Sequence, residues 1–370
     1  MIIGVPKEIR KQEFRVGMVP AGVTTFTAHG HKILVEKGAG EEAGFSDEKY
    51  LAAGAELVSD AEELWSRAQF ILKVQGPVSQ EFRFFRENVM VFSYLNLANS
   101  LELTKQLEFK GVTSLAYETL QMKDGSLPLL KPMSEIAGKM ATQKGANYLE
   151  KTNGGRGVLL GGVPGTRRGR VGILGGGVVG TNAAQVAIGM GAEVTLLDLN
   201  LDRLEHLDHL FGGRLNTLFS NPDNIAETVE RSDLLIGAVL IPGAKTPHLV
   251  TEDLIKTMTP GSVIVDVAID QGGCFASSQT TSHDDATYIR HGVVHYCVPN
   301  MPASVARTST MALTNATTHY ALKLADRGFE QAIREDHALY VATNSYRGHI
   351  TYEAVAEACG VAYKPLAVLL

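Results

Sequence analysis

Short β-branched runs alternate with longer helical stretches from one end of the chain to the other, and this alternation constrains the fold more than any other feature. Strands are predicted at 32–36, 70–74, 90–94 and 114–117, then at 171–174, 193–198, 234–237, 263–267 and 293–296. Helical patterns fill the gaps, among them 60–67, 101–109, 182–190 and 226–232. Strand, helix and strand in succession favour parallel sheets with crossover connections, the α/β class. Runs such as Val263-Ile264-Val265 are apolar on consecutive residues, as strands covered on both faces should be.

Two stretches break the rhythm. Residues 134–151 read as one long helix that leads into Asn153-Gly154-Gly155-Arg156-Gly157 and then Gly161-Gly162-Val163-Pro164-Gly165, so a domain junction is expected nearby. After about Ala306 the pattern turns helical, at 308–327 and again at 351–359. A length of 370 residues suits two domains of ordinary size.

Composition narrows the functional classes. Lys and Arg number 34 against 40 Asp and Glu, a net charge of −6 with no like-charged run, which argues against a nucleic-acid footprint. No apolar run approaches the ~18 residues that a membrane-spanning helix needs. The opening Met1-Ile2-Ile3-Gly4-Val5-Pro6 lacks the basic head and apolar block of a secretion signal. The three cysteines, Cys274, Cys297 and Cys359, are scattered, which fits a reducing compartment. A cytoplasmic enzyme is the expectation.

Val171-Gly172-Ile173-Leu174 runs into Gly175-Gly176-Gly177-Val178-Val179-Gly180, a G-x-G-x-x-G turn between a strand and a helix. The first glycine makes the tight turn, the second admits a pyrophosphate to the backbone, and the third lets helix and strand pack closely. The helix then offers unpaired N–H groups and its positive end to the phosphates, so Val178 and Val179 join the expected contacts. The next strand ends at Asp198, placed to accept from the adenosine ribose hydroxyls and to repel a 2′-phosphate. With strand, glycines, helix and acid in register, a turn that binds nothing is disfavoured. NAD is expected, with Arg203 close enough to leave NADP open.

Ala238-Val239-Leu240 and the segment Ala268-Ile269-Asp270-Gln271-Gly272-Gly273 follow two other strands, at the edge where an open parallel sheet binds its ligand. Asp270 is either a solvated loop acid or a group aimed into a cleft, and the glycines behind it favour the cleft. Ser134 would stand at a helix N-terminus, as a phosphate or ribose contact or as a plain cap. His29-Gly30-His31 and the pair His206 and His209 invite a metal reading, but neither gathers a third ligand in sequence, and no metal is expected.

The chain resembles the NAD-dependent L-alanine dehydrogenases, relatives of one component of the proton-translocating transhydrogenases. The likeness runs through Glu13-Phe14-Arg15-Val16, Ala116-Tyr117-Glu118-Thr119, Leu127-Pro128-Leu129-Leu130 and Pro132-Met133-Ser134. It continues through Gly154-Gly155-Arg156-Gly157, the dinucleotide turn, Ile236-Gly237-Ala238-Val239, the segment from Val267 to Gly273, and Val298-Pro299-Asn300-Met301-Pro302. The resemblance implies two doubly wound, Rossmann-like domains, a substrate domain at 1–130 with 307–370 and an NAD-binding domain at 131–306. It also implies a homo-hexamer and a small amino acid or 2-oxo acid as substrate. It makes Arg15 the anchor of the substrate carboxylate, sets Asp270 beside the nicotinamide, and adds Ile269, Asn300 and Met301 to the cofactor contacts.

Two of the family's site residues are missing. Where the resemblance expects a lysine in a Lys-x-Lys-Glu-Pro run, this chain reads Lys73-Val74-Gln75-Gly76-Pro77. Where it expects a histidine flanked by leucines, this chain reads Tyr94-Leu95-Asn96-Leu97-Ala98. Each change is reachable by one base; the altered neighbours Gly76, Asn99 and Ser100 favour natural divergence over two point changes. Imidazole, with a pKa of ~6.5, suits the proton transfers of amine oxidation, and a placed acid–base group contributes ~10²- to 10⁴-fold. Gln75 and Asn96 can hydrogen-bond the reacting centre but cannot titrate, which leaves Asp270 as the ionisable candidate. Lys73 either lends charge to this pocket or serves a local ion pair. The expected function is therefore an NAD-dependent oxidoreductase of the alanine dehydrogenase type with altered acid–base chemistry. The alternatives are an imine reductase that takes a bulkier amine, in the manner of opine-forming relatives, and an impaired homologue that only binds NAD.

Overall fold

The consecutive apolar runs become the centres of two sheets in the computed structural model, which describes residues 1–239 and 247–370. In chain order the strands begin with β1 (Ile2–Val5), β2 (Lys32–Glu36), β3 (Glu56–Val58), β4 (Phe70–Gln75), β5 (Met90–Tyr94) and β6 (Thr113–Ala116). There follow β7 (Arg170–Leu174), β8 (Glu193–Asp198), β9 (Asn216–Phe219), β10 (Leu234–Gly237), β11 (Val263–Asp266), β12 (Thr287–Arg290) and β13 (Val293–Tyr296). The last two are β14 (Thr343–Tyr346) and β15 (His349–Ile350).

One compact unit comprises Met1–Met133 and Ala303–Leu370, and the other Ser134–Pro302. The first holds an eight-stranded sheet in the order β15-β14-β6-β5-β4-β1-β2-β3, the second a seven-stranded sheet in the order β12-β13-β11-β10-β7-β8-β9. Both are Rossmann-like α/β sheets. In each, the first strand lies between its second and fourth, so the helical connections leave in opposite directions from that pair of strands. A crevice opens there at the carboxyl ends of the strands, and in such sheets it is where ligands bind. In the first unit the crevice lies beyond Val5 and Gln75; in the second it lies beyond Leu174 and Gly237.

Strands β1 to β6 pair in parallel, as do β7 to β11 and β13. Edge strands depart from the parallel expectation: β12 runs antiparallel to β13, and β14 and β15 form an antiparallel margin beside β6. The first unit buries Leu34, Trp65, Ile71, Val91 and Leu103 in one cluster, and the second buries Leu197, Leu235, Ile264 and Phe275. Helix starts follow local chemistry: Asp60 accepts from Glu63 N at 2.9 Å and Asn221 from Asn224 N at 2.8 Å. The helical reading of the last third missed β14, whose residues are polar yet buried. Ser345 Oγ donates to Val112 O at 2.8 Å, and Asn344 Nδ2 donates to Thr119 Oγ1 at 2.7 Å, so burial leaves these groups paired.

Candidate active site

In the second unit, β7 delivers the chain to Gly175, which takes a φ of +100°, and a Cβ there would lie 2.8 Å from Ala238 O. A Cβ at Gly180 would fall 1.8 Å from Gly175 O, so only glycine lets the helix Val178–Gly189 start this close to β7. At Gly177, by contrast, nothing lies within 4 Å of where a Cβ would be. Gly177 caps the helix without a side-chain hydrogen bond, so the first-turn amides of Val178 and Val179 have no intrahelical acceptor. The residues present fit a diphosphate.

Asp198 closes β8 beside this turn: Oδ2 accepts from Gly176 N at 2.6 Å and Oδ1 from Asn200 N at 2.8 Å. Arg203, which the sequence left open as a 2′-phosphate ligand, is engaged with the turn itself. Its Nε donates to Gly176 O at 2.6 Å and its Nη2 to Thr181 Oγ1 at 3.0 Å. Ala238 follows β10, its N–H donating to Leu174 O at 2.8 Å, with Val239 next to it; Leu240 lies outside the described residues. Ser134 is not a helix cap. The helix runs Lys131–Tyr148, so Ser134 sits within its first turn.

The loop bearing Asp270 is held by a residue the sequence reading passed over. Asp266, at the end of β11, accepts from Ala268 N (3.1 Å), Cys274 N (2.8 Å) and Ser278 Oγ (2.5 Å). Burial pushes its carboxyl up to about 6, against the pull of those donors. Ile269 and Asp270 form a short 3-10 turn ahead of Gly272. Desolvation also raises the Asp270 carboxyl, while Asn300 N, 3.5 Å away, pulls it down. Asn300 takes a left-handed φ of 49°, and Met301 behind it is buried.

In the first unit, the crevice beyond β1 and β4 is lined by buried charge. Arg15 is 2% exposed and spends Nε (2.7 Å) and Nη2 (2.5 Å) on the Glu13 carboxylate, with Nη1 3.1 Å from Met133 Sδ. Burial opposes the guanidinium charge, but Glu13 outweighs it and the Arg15 pKa stands raised. Gln75 Nε2 donates to Glu13 Oε2 at 3.1 Å, so the amide oxygen of Gln75 is the end directed away from that carboxylate. Lys73 serves a local ion pair: its Nζ lies 2.8 Å from Glu81 and 3.3 Å from Glu8, all three buried. Burial disfavours the ammonium, and the two carboxylates more than compensate, leaving its pKa raised. Burial raises the Glu8 carboxyl, with Lys73 opposing, while Glu8 accepts from Val74 N at 2.7 Å. Three buried carboxylates, Glu8, Glu13 and Glu81, thus face two buried cations, Arg15 and Lys73.

Asn96 follows β5 in a left-handed conformation (φ 49°, ψ 45°), exposed, with its Oδ1 accepting from Asn99 Nδ2 at 2.9 Å. Its backbone N–H donates to Glu118 Oε1 at 2.6 Å, and that of Leu95 donates to Glu118 Oε2 at 3.2 Å. Glu8 and Glu81 carried no sequence signal, Asp266 fell within a predicted strand, and Glu118 stood in the segment Ala116-Tyr117-Glu118-Thr119 that carries the resemblance, with no role assigned to either.

Elsewhere, His29 Nδ1 (3.0 Å) and His31 Nε2 (2.7 Å) converge on Asp326, an acid the sequence could not bring near. They contact it directly, and among the described residues no group of three or more His, Cys, Asp or Glu could hold a metal. Among those residues, too, no helix is long and apolar enough to cross a membrane.

Known proteins share this sequence and this fold. Residues 4–137 match the family model "Alanine dehydrogenase/PNT, N-terminal domain" and residues 141–353 match "Alanine dehydrogenase/PNT, C-terminal domain". An alanine dehydrogenase of Methanococcus maripaludis is 55% identical over 366 residues, covering 99% of this chain and 98% of its own. One of Staphylococcus haemolyticus is 54% identical over 364 residues, covering 98% and 97%. A solved L-alanine dehydrogenase superposes with a TM-score of 0.95 at 49% identity, covering 97% of this chain and 99% of that one. A transhydrogenase from Sinorhizobium meliloti shares the fold, with a TM-score of 0.82 at 23% identity over 96% of this chain and 100% of that one. With both halves matched in order along nearly its whole length, this chain belongs to the alanine dehydrogenase/PNT family.

Proposed function

We propose that this protein is an NAD-dependent oxidoreductase acting at the amine or imine carbon of a small amino acid or 2-oxo acid, with altered acid–base chemistry. One observation carries the reading. The substrate-side crevice keeps a buried, carboxylate-oriented arginine, Arg15, while Gln75, an amide, shares its Glu13 partner and a second amide, Asn96, follows the neighbouring strand β5.

Gly175, Gly177, Gly180 and the amides of Val178 and Val179 would hold the pyrophosphate, and Asp198 the adenosine ribose. Ser134, Ala238, Val239, Leu240, Ile269, Asn300 and Met301 are assigned to the remaining cofactor contacts. Bound NAD supplies the acceptor for the hydride. Arg15 holds the substrate carboxylate, its orientation set by the two bonds to Glu13. Gln75 directs its amide oxygen at the nitrogen of the reacting centre, and Asn96 hydrogen-bonds its oxygen or nitrogen. Neither exchanges a proton at neutral pH, so Asp270, whose carboxyl is raised by desolvation, orients the nicotinamide and moves the proton.

The assignment follows from absorbance at the NADH band while 2-oxo acids are offered with ammonia and then with larger primary amines. Turnover with at least one pair is expected. No turnover with any pair, together with retained NAD affinity by calorimetry, would establish a binding subunit instead. That second reading draws on the commitment of Gln75 to Glu13, which leaves no titrating side chain in its place. We further assign a homo-hexamer in the cytoplasm; light scattering that gives a smaller particle would refute the assembly.

A further inference from the structure

We propose that Glu118 is a positioning residue: its half-buried carboxylate grips two successive backbone amides and so sets the left-handed turn that presents Asn96. This rests on the reading of Asn96 as part of the substrate crevice. Glu118 lies in the short turn Tyr117–Thr119 after β6, and it spans to the end of β5, where Oε1 takes Asn96 N and Oε2 takes Leu95 N.

The rest of the turn is pinned from the carbonyl side. Leu97 O accepts from Thr104 Oγ1 (3.3 Å) and Cys359 Sγ (3.2 Å), and Tyr94 O accepts from Gly76 N at 2.6 Å. That last bond ties the neighbour of Gln75 to the same turn. A left-handed residue other than glycine is held by its surroundings rather than by its own preference, and asparagine is among the few that tolerate it. The two N–H groups point at one side chain, and only a carboxylate has two acceptor oxygens to meet them. A glutamine there would turn an NH₂ toward one of the amides, and a protonated glutamate would lose one good acceptor.

The grip is therefore sensitive to a single proton. Burial pushes the Glu118 carboxyl up to about 7, with its own N–H and those of Asn96 and Leu95 pulling down. Tyr94 on β5 and Tyr352 ahead of the helix Glu353–Cys359 are the titratable groups that feel this charge, and both phenols have raised pKa values, so they stay neutral where Glu118 titrates. The helix His337–Ala342, which also packs on the 117–119 turn, adds His337, exposed to solvent, and the half-buried Tyr340. Above its pKa Glu118 accepts both amides; below it, the turn loosens and Asn96 loses its fixed place.

Glu118→Gln and Glu118→Asp in the full-length chain test this with three readouts: the pH profile of kcat/KM on the best substrate pair, NAD affinity, and hydrogen exchange of the 94–97 segment by mass spectrometry. Glu118→Gln is expected to lower kcat/KM at pH 8 by ~10-fold or more, the scale of one lost charge-assisted hydrogen bond, and to abolish the ionisation near pH 7. Glu118→Asp keeps an ionisation, displaced in pH. NAD affinity stays within about twofold of the wild type in both, because the glycine turn lies in the other unit. Amide exchange at 95–96, corrected for its intrinsic pH dependence, is faster in Glu118→Gln and, in the wild type, faster at pH 6 than at pH 8.

A wild-type pH profile and wild-type protection in Glu118→Gln would overturn the proposal. If that variant does not fold, the wild-type exchange at the two pH values decides, and pH-independent protection overturns it. If no substrate pair turns over, the exchange result still judges Glu118 while the failure falls on the catalytic reading.

Discussion

Replacing Lys73 with methionine removes one ammonium from a place where two carboxylates depend on it. The side chains of Lys73, Glu8 and Glu81 are 1%, 2% and 4% exposed, with the ammonium 3.3 Å from Glu8 and 2.8 Å from Glu81. Methionine fills the same volume, so the loss is electrostatic. Breaking a buried pair by removing one partner costs about 3–5 kcal/mol, because the stranded charge has neither water nor a counter-ion. The unfolding of this unit can be followed alone, since Trp65 is the single tryptophan and lies in its core. With a urea m-value near ~3 kcal/mol/M, the Trp65 transition should move down by roughly 1 to 2 M at pH 8.

The pH dependence supplies a second check. The Lys73 pKa is raised in the folded protein, so its stabilising charge is complete below the ordinary value of 10.5 and fades only as pH climbs past the raised one. The Glu8 carboxyl is also raised, so the folded protein retains a proton that the unfolded chain has released above 4.5, and stability falls as pH rises through that window. Without Lys73 the window extends upward. Each pH unit below the variant's carboxyl pKa should then return about 1.4 kcal/mol per retained proton, so the deficit should be smaller at pH 5.5 than at pH 8. A deficit under ~1 kcal/mol at pH 8, or an equal deficit at both pH values, would show that Lys73 does not neutralise this cluster.

Two further outcomes test the site. Gly180→Ala places a Cβ against Gly175 O, where only 1.8 Å is available, so the helix must retreat; calorimetry should show NAD affinity at least ~10-fold weaker, and unchanged affinity would remove the pyrophosphate from this turn. The pair Gln75→Lys and Asn96→His adds a cation beside Glu13, whose Oε2 now takes Gln75 Nε2 at 3.1 Å, so that three carboxylates face three cations, and supplies a titrating imidazole. Alanine oxidation should rise by ~10²-fold or more with NAD affinity unchanged, and a flat response would mean that these two positions do not limit the chemistry.

The glycine turn and Asp198 were legible because their demands are local. A strand, a turn without side chains and a helix are contiguous in sequence, and the close approach at Gly180 is to a carbonyl only one turn away. Strand β1 was not legible, although it is the pivot of its sheet, because four residues become a central strand only through neighbours at β2 and β4. Glu8 accepts from a residue 66 positions away and Glu118 from one 22 positions away, so nothing near either acid marks its partner. Lys73 stood equally for a pocket cation and a local ion pair until Glu81 and Glu8 were seen on either side of its ammonium.

The same comparison separates two kinds of polar residue in the first unit. The amides that differ from the family pattern, Gln75 and Asn96, do not titrate, whereas the buried Glu8 and Lys73 and the half-buried Glu118 do. A proton taken up by the titrating set cannot pass to a substrate through an amide. It can only move the backbone to which those groups are bonded, at Val74 for Glu8 and at Leu95 and Asn96 for Glu118. The pH dependence that Glu8 and Glu118 confer is therefore carried by the geometry of the β4 and β5 termini, and it should appear in amide exchange there even when no substrate is bound.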